Sequence, residues 1–379
     1  MSKSAFVFLL MCSFFLSTGT AANAADKAER SSSAKKHAKK STAKKKTARH
    51  RAAAADAAPT KSALAPNERL VRKVTTVRGK KRVTYQRMAV AAIPVVPAVV
   101  SAGDLAGLNL TRDPLDLKSN VALVMDQSNS KVLFEKNSNV ALPIASITKL
   151  MTSMVVVESN QNMDEMIEVT NDDIDREKNS SSRLRVGSIL SRSNMLHIAL
   201  MSSENRAASA LGRNYPGGLP AFVAAMNAKA KALGMNDTHY VDSTGLSSHN
   251  VASAHDLAKL VIAARQHQII GQYSTDTKYV VEPGGRSLQY SNSNHLVGNP
   301  TWDIGLQKTG YINEAGRCLV MLTNIEGRPI VMVFLDSKGK QSRTADAGRI
   351  RKWIEALKPD NLTNPLAAPT ARNLPLVHS

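Results

Sequence analysis

The chain has 379 residues, 43% of them hydrophobic and 21% charged, with a formal net charge of +20 and two cysteines. That length and apolar content suffice for one large core, which excludes a wholly disordered chain. No run of about 18 apolar residues occurs, which excludes a membrane-spanning helix, and two cysteines exclude a disulfide framework.

In chain order, Lys3, an apolar run over 5–16 and Ala22-Asn23-Ala24 supply a basic n-region, a short h-region and an A-x-A cleavage site. This predicts a secretory signal peptide over 1–24 and a mature protein in the periplasm. Cys12 invites a lipoprotein reading, but Met11 fits poorly before a lipidated cysteine. Once the signal is removed only Cys318 remains, so no internal disulfide is expected. Most of the net charge lies in 26–90, which holds 20 Lys and Arg against four acids. With almost nothing apolar to bury, 25–90 is expected to be a basic disordered tail. It serves either as a solvated spacer or as an electrostatic contact to an anionic envelope surface. Export makes nucleic acid an unexpected natural partner, although such a tail binds it weakly. A Pro/Ala/Val linker follows over 91–115.

From 116 to 358 the composition becomes that of an ordinary globular domain. The run 120–125 reads as a buried strand, 126–130 as a turn and 131–135 as the returning strand. Ile147, Leu150, Met151, Met154 and Val155 recur at helical spacing and predict a helix with one buried face. Helices are predicted near 193–200, 205–211, 219–233 and 254–264. Strands are predicted at 277–281, 288–291, 305–310, 318–322 and 329–335, with a last helix over 344–357. Strands from both ends with helices between them imply one mixed sheet carrying a helical insertion. The tail 359–379 is short, Pro/Ala-rich and expected to be disordered.

Three motifs punctuate this domain: Ser146-Ile-Thr-Lys149, Ser203-Glu-Asn205 and Lys308-Thr309-Gly310. Each alone is weak. S-x-x-K recurs at Ser33–Lys36 and Ser41–Lys44 in the basic tail, and the first motif by itself reads as a helix cap with a surface lysine. Together, in this order, they supply a nucleophile, a base, a proton relay and a carboxylate anchor. Ser146 falls at a helix start, where free N–H groups suit a developing oxyanion. Lys149 stands one turn on; it can take a proton if desolvation and a nearby positive charge, such as Lys308, lower its pKa. Ser203 suits proton transfer to a leaving amine, and Asn205 suits a substrate amide. Lys308 and Thr309 suit a carboxylate, and Gly310 leaves room for a substrate backbone along a strand edge. No H-e-x-x-H pattern occurs, His249 and His255 lack a third ligand, and neither metal nor cofactor is called for. Tyr290-Ser-Asn292 lies too close to Lys308 to be a separate catalytic element.

The segments 143–152, 200–208, 215–218, 226–231, 308–311 and 315–320 give the chain, over about 116–353, a resemblance to low-molecular-mass penicillin-binding proteins of the D-alanyl-D-alanine carboxypeptidase family. Within that family it looks most like the endopeptidase branch. The resemblance implies a mixed α/β, penicillin-binding/β-lactamase-like domain with a mainly antiparallel five-stranded sheet flanked by helical clusters. It implies that Ser146 forms the acyl-enzyme, Lys149 accepts its proton, Ser203 relays it and Lys308 binds substrate. The backbone N–H groups of Ser146 and Tyr311 would form the oxyanion hole. The partners implied are peptidoglycan peptide stems as substrate and β-lactams as covalent inhibitors. Carboxypeptidase relatives carry a further C-terminal domain and a membrane helix, and the chain shows neither after 353. That favours cleavage of D-alanyl–meso-diaminopimelate crosslinks over trimming of pentapeptide ends. A β-lactamase is disfavoured because no E-x-x-L-N lies between Ser203 and Lys308. The alternative of another class is an inactive peptidoglycan-binding protein with a basic tether.

Overall fold

The computed structural model describes residues 68–77, 79–89 and 100–357. The signal peptide expected at 1–24, the tail positions 25–67, the linker positions 91–99 and the C-terminal tail 359–379 lie outside the described residues. Two compact units divide the chain at 94/95.

The first unit contains an antiparallel hairpin of β1 (Glu68–Val77) and β2 (Lys80–Ala89). Val74 pairs with Val83 and Arg72 with Tyr85, and Gly79 turns the chain at a φ of 75°. This corrects the expectation of disorder over 68–89. That expectation weighed bulk charge, whereas alternating β-branched and basic residues around a glycine encode a local ladder. Arg72, Lys73, Lys80, Lys81 and Arg82 are all exposed.

In the second unit, α1 (Ala102–Leu105) leads to β3 (Ser119–Asp126), β4 (Lys131–Lys136), the short β5 (Leu142–Pro143) and α2 (Thr148–Glu158). The insertion continues with β6 (Met166–Glu168), β7 (Ile189–Ser191), α3 (Arg192–Met201), α4 (Asn205–Arg213) and α5 (Gly218–Ala232). Then come β8 (Val251–Ala252), α6 (Ala254–Arg265), α7 (Gln268–Thr275) and the pair β9 (Lys278–Val281) and β10 (Leu288–Ser291). The chain closes with β11 (Asp303–Ile312), β12 (Gly316–Ile325), β13 (Arg328–Ser337) and α8 (Ser342–Ala356).

Five strands form one sheet in the order β11-β12-β13-β3-β4, antiparallel at every pairing. Both faces are covered, so the central strands are apolar throughout rather than alternating. Ala122, Val124, Met321 and Phe334 pack with Ala347, Ile350 and Ile354 of α8. Val121, Leu123, Val320 and Val333 face the helical insertion instead. The result is a mixed α/β layering with its main core between sheet and insertion. At the heart of that core α2 is buried all round, from Thr148 to Val156, where a single buried face was expected.

The domain begins earlier than 116. Ser101 caps α1 and donates its hydroxyl to the buried Asp336 at 2.7 Å, and Asp113 pairs with Lys136 at 2.9 Å with both side chains nearly inaccessible. The linker reading of 91–115 is therefore corrected over 101–115. Single polar anchors, not apolar periodicity, tie this segment down. Helix α7 was not expected because glycine and β-branched residues dilute its helical pattern. Gly271 is what lets it press on the sheet: a Cβ there would stand 3.0 Å from the carbonyl oxygen of Gly305 in β11.

Candidate active site

Ser146 sits in a 3-10 turn, Ala145–Ile147, that runs straight into α2. Within 142–156 it is the one residue not buried. Ala145 before it adopts a left-handed φ of 49°, a conformation that costs an alanine about 1–2 kcal/mol. Two glycines hold the turn from either side. A Cβ on Gly245 would lie 2.0 Å from the carbonyl oxygen of Ala145, and one on Gly310 of β11 would lie 3.1 Å from the Ser146 nitrogen. Strand β11 thus runs directly beside the Ser146 N–H, which only a residue without a side chain permits.

Lys149 lies one turn along α2, with its side chain in the core. Its Nζ is 2.9 Å from Ser146 Oγ, 2.7 Å from Asn205 Oδ1 and 2.6 Å from the carbonyl oxygen of Thr244. Burial lowers its pKa from 10.5 to about 7; the carboxylates of Asp242, Glu204 and Asp175 oppose a further fall. The cause is desolvation, not the charge of Lys308 invoked from the sequence. A neutral amine has two N–H groups and one lone pair. With Asn205 and Thr244 accepting the two N–H groups, the lone pair is left for the Ser146 hydroxyl. This arrangement can take a proton from a serine near neutral pH.

Lys308 is also fully buried on β11, and its Nζ donates to the carbonyl oxygen of Thr309 at 2.9 Å. Burial first, then the charges of Lys149 and Arg343, hold it well below the ordinary lysine range. No carboxylate among the described residues pairs with it. A buried ammonium in this position is stabilised by an incoming anion. Thr309 Oγ1 lies 2.7 Å from Ser293 Oγ, and the Ser293 N–H donates to Met201 at the end of α3. These two bonds join β11 to the segment that carries Ser203.

The remaining residues singled out from the sequence are placed less uniformly. Asn205 opens α4 with Glu204 as its N-cap; it bridges Lys149 and the Ser180 hydroxyl at 2.8 Å, so both ends of its amide are engaged by the protein. Ser203 adopts a left-handed φ of 65° and bonds to neither Ser146 nor Lys149. Instead it shares with Asn205 the wall of a cavity of about 340 Å³. Tyr311 is half-exposed, its hydroxyl donating to Asn313 and its ring under the guanidinium of Arg317. Asn292 is structural, with its amide bonded to the carbonyls of Ser274 and Asp276 and to Gln307.

The loop 241–250 was missed from the sequence. The Asp242 carboxylate gathers the N–H groups of Thr244, Gly245 and Ser247. Asn250 donates to Thr148 Oγ1, and Thr152 donates to the Ser243 carbonyl. The loop is thereby fastened to the first turns of α2, with the Thr244 carbonyl aimed at Lys149. Asp242-Ser-Thr-Gly245 carries a turn signal and nothing more. Arg343 of α8 was missed too; it donates to the carbonyls of Gly310 and Cys318 and braces β11 from the helix side.

The profile of the D-alanyl-D-alanine carboxypeptidase family matches residues 109–339. A D-alanyl-D-alanine endopeptidase of Pseudomonas aeruginosa is 50% identical over 252 residues, covering 66% of this chain and 80% of that protein. One of Escherichia coli is 45% identical over 269 residues, covering 70% and 86%. The crystal structure of the Streptomyces K15 DD-transpeptidase superposes with a TM-score of 0.61 at 25% identity, covering 65% of this chain and all of that one. The chain belongs to the D-alanyl-D-alanine carboxypeptidase family of serine DD-peptidases.

The packing of Gly245 is directly testable. Gly245→Ala should cost about 3 kcal/mol or more in urea unfolding, from backbone strain plus the clash with Ala145. Gly327→Ala has a similar positive φ and open space around it, and should cost only about 1 kcal/mol. Equal costs would mean that the glycine is needed for its φ alone.

Proposed function

We propose that this protein is a serine D-alanyl-D-alanine endopeptidase that hydrolyses D-alanyl–meso-diaminopimelate crosslinks in peptidoglycan through an acyl-enzyme. The observation that carries the mechanism is the Lys149 nitrogen, buried near neutral pKa and 2.9 Å from Ser146 Oγ. The names of the two relatives at 50% and 45% identity favour crosslinks over pentapeptide ends. An inactive wall-binding protein would have no use for two buried lysines around an accessible serine.

In this reading neutral Lys149 takes the Ser146 proton as Oγ attacks the D-alanyl carbonyl. The oxyanion forms against the N–H groups of Ser146 and Tyr311. As the tetrahedral intermediate collapses, Ser203 passes its hydroxyl proton to the leaving amine and takes the Lys149 proton in its place, which leaves Lys149 neutral again. Lys308 and Thr309 hold the carboxylate beside that amine. Water then attacks the acyl-enzyme, with Lys149 taking its proton and returning it to Ser146 Oγ as the ester bond breaks. β-Lactams acylate Ser146 as substrate mimics. Export through 1–24 would place the enzyme with its substrate in the periplasm. The basic segment 26–90 would supplement this by electrostatic contact with anionic envelope surface.

Three measurements test these statements. The mature chain should form a fluorescent-penicillin adduct and convert crosslinked muropeptide dimers to monomers, and Ser146→Ala should abolish both while the fold persists. Release of terminal D-alanine alone would move the activity to carboxypeptidase. Penicillin acylation should rise with pH and level off above about 7, because the proton-accepting form of Lys149 appears as pH passes its lowered pKa; a rate flat from pH 5 to 9 removes Lys149 as the base. Binding to anionic vesicles should depend on 26–90 and weaken steeply with salt; salt-independent binding removes the electrostatic contact.

A further inference from the structure

The cavity of about 340 Å³ beside Ser203 is more than a by-product of the catalytic loop. Its walls include Ser182, Arg183, Ser203, Glu204, Asn205 and Tyr290. Arg183 stands out among them. Its guanidinium carbon lies 3.8 Å above the Tyr290 ring, and one terminal nitrogen donates to the Gln289 carbonyl at 2.6 Å. The Arg183 carbonyl accepts from Arg286 at 3.3 Å. The group is therefore held on both its side chain and its backbone, although it is exposed. Among the described residues no carboxylate pairs with it, and its other N–H groups have no acceptor.

The support beneath it is tied to the Ser203–Asn205 segment. Tyr290 donates to Glu204 Oε2 at 3.4 Å, and Ser182 donates to Glu204 Oε1 at 2.6 Å. Glu204 is the residue between Ser203 and Asn205, so Arg183 is indexed to the segment that carries both. A guanidinium stacked on an aromatic ring presents its edge as a flat fork, suited to a carboxylate. Polar walls on a cavity of this size suit one or two peptide residues.

Resting on the endopeptidase reading, the chemistry of the two possible leaving groups differs in one respect. A pentapeptide end releases a single amino acid with one carboxylate, which Lys308 can hold alone. A crosslink releases a whole acceptor stem, which carries further carboxylates. We propose that Arg183 binds one of these further carboxylates in the cavity beside Ser203, and so acts as a specificity residue for crosslinked over linear substrate.

The full mature chain and its Arg183→Gln variant are compared in penicillin acylation and in cleavage of a muropeptide dimer. Acylation should agree within about twofold, since penicillin lacks the acceptor stem, while kcat/KM on the dimer should fall about tenfold, mainly through KM. A dimer amidated at the acceptor-stem carboxylates other than the one beside the scissile amine should be cut by the wild type as slowly as the plain dimer is by the variant. The variant should show no further loss on it. Parallel losses in acylation and dimer cleavage would make Arg183 a prop for the Ser203 loop and overturn the proposal, as would unchanged dimer cleavage. A wild-type protein that takes up penicillin but leaves dimers intact refutes the endopeptidase reading itself, and this subsite with it.

Discussion

The nitrogen of Lys149 is the point on which three distant stretches of the chain converge. Its neighbours are Ser146 at the start of its own helix, Asn205 at the start of α4 and the Thr244 carbonyl in the loop after α5. A lysine on a solvated helix face would be protonated and useless as a base near neutral pH. Here α2 is enclosed on every side, so desolvation penalises the ammonium, and two acceptors position what remains of its hydrogen-bonding capacity. Three carboxylates at longer range keep the pKa from falling so far that basicity is lost. The lowered pKa of Lys149 is thus a property of the whole insertion, while the S-x-x-K spacing supplies only its proximity to the serine.

Lys308 applies the same physics to a different end. It too is buried, and the charge of Lys149 depresses it further, whereas Lys149 itself is governed by burial. Among the described residues Lys308 has no carboxylate partner, and its Nζ donates to the Thr309 carbonyl. A buried cation without a counter-charge is stabilised by an anion, and a peptide end and a D-centre of diaminopimelate both carry a carboxylate. That shared feature cannot distinguish the two substrates. In the proposed Arg183 subsite, discrimination comes from beyond the carboxylate, where Ser203, Tyr290 and Arg183 line one cavity.

The sheet contributes position rather than chemistry. β11 is an edge strand, pressed upon by α7 at Gly271 and braced by Arg343 from α8. Gly310 brings it against the Ser146 N–H from one side, and Gly245 brings the 241–250 loop against Ala145 from the other. The strained Ala145 turn is therefore clamped by backbone on both flanks, which is how a left-handed alanine persists next to Ser146, the one residue of 142–156 that is not buried.

Much of this was legible along the chain because the signals are local. The apolar runs of β3, β12 and β13, the helical spacing from Ile147 to Val155, and the three motifs need only near neighbours to be read. Local signals also misled where one was weighed against another: charge density over 68–89 outweighed an alternation that encodes a hairpin, and the Pro/Ala/Val reading hid the Ser101 anchor. What the sequence by itself determined is the family, the sheet-and-insertion architecture and the identity of Ser146, Lys149 and Lys308 as candidates. Only the tertiary structure decided that burial brings the Lys149 pKa down to about 7, that the Thr244 carbonyl and Gly245 reach Lys149 and Ala145, and that Arg183 and Ser203 line one cavity. Those facts depend on contacts between residues as much as 95 to 106 positions apart. Desolvation is a sum over everything that packs around a group, so no window of sequence contains it.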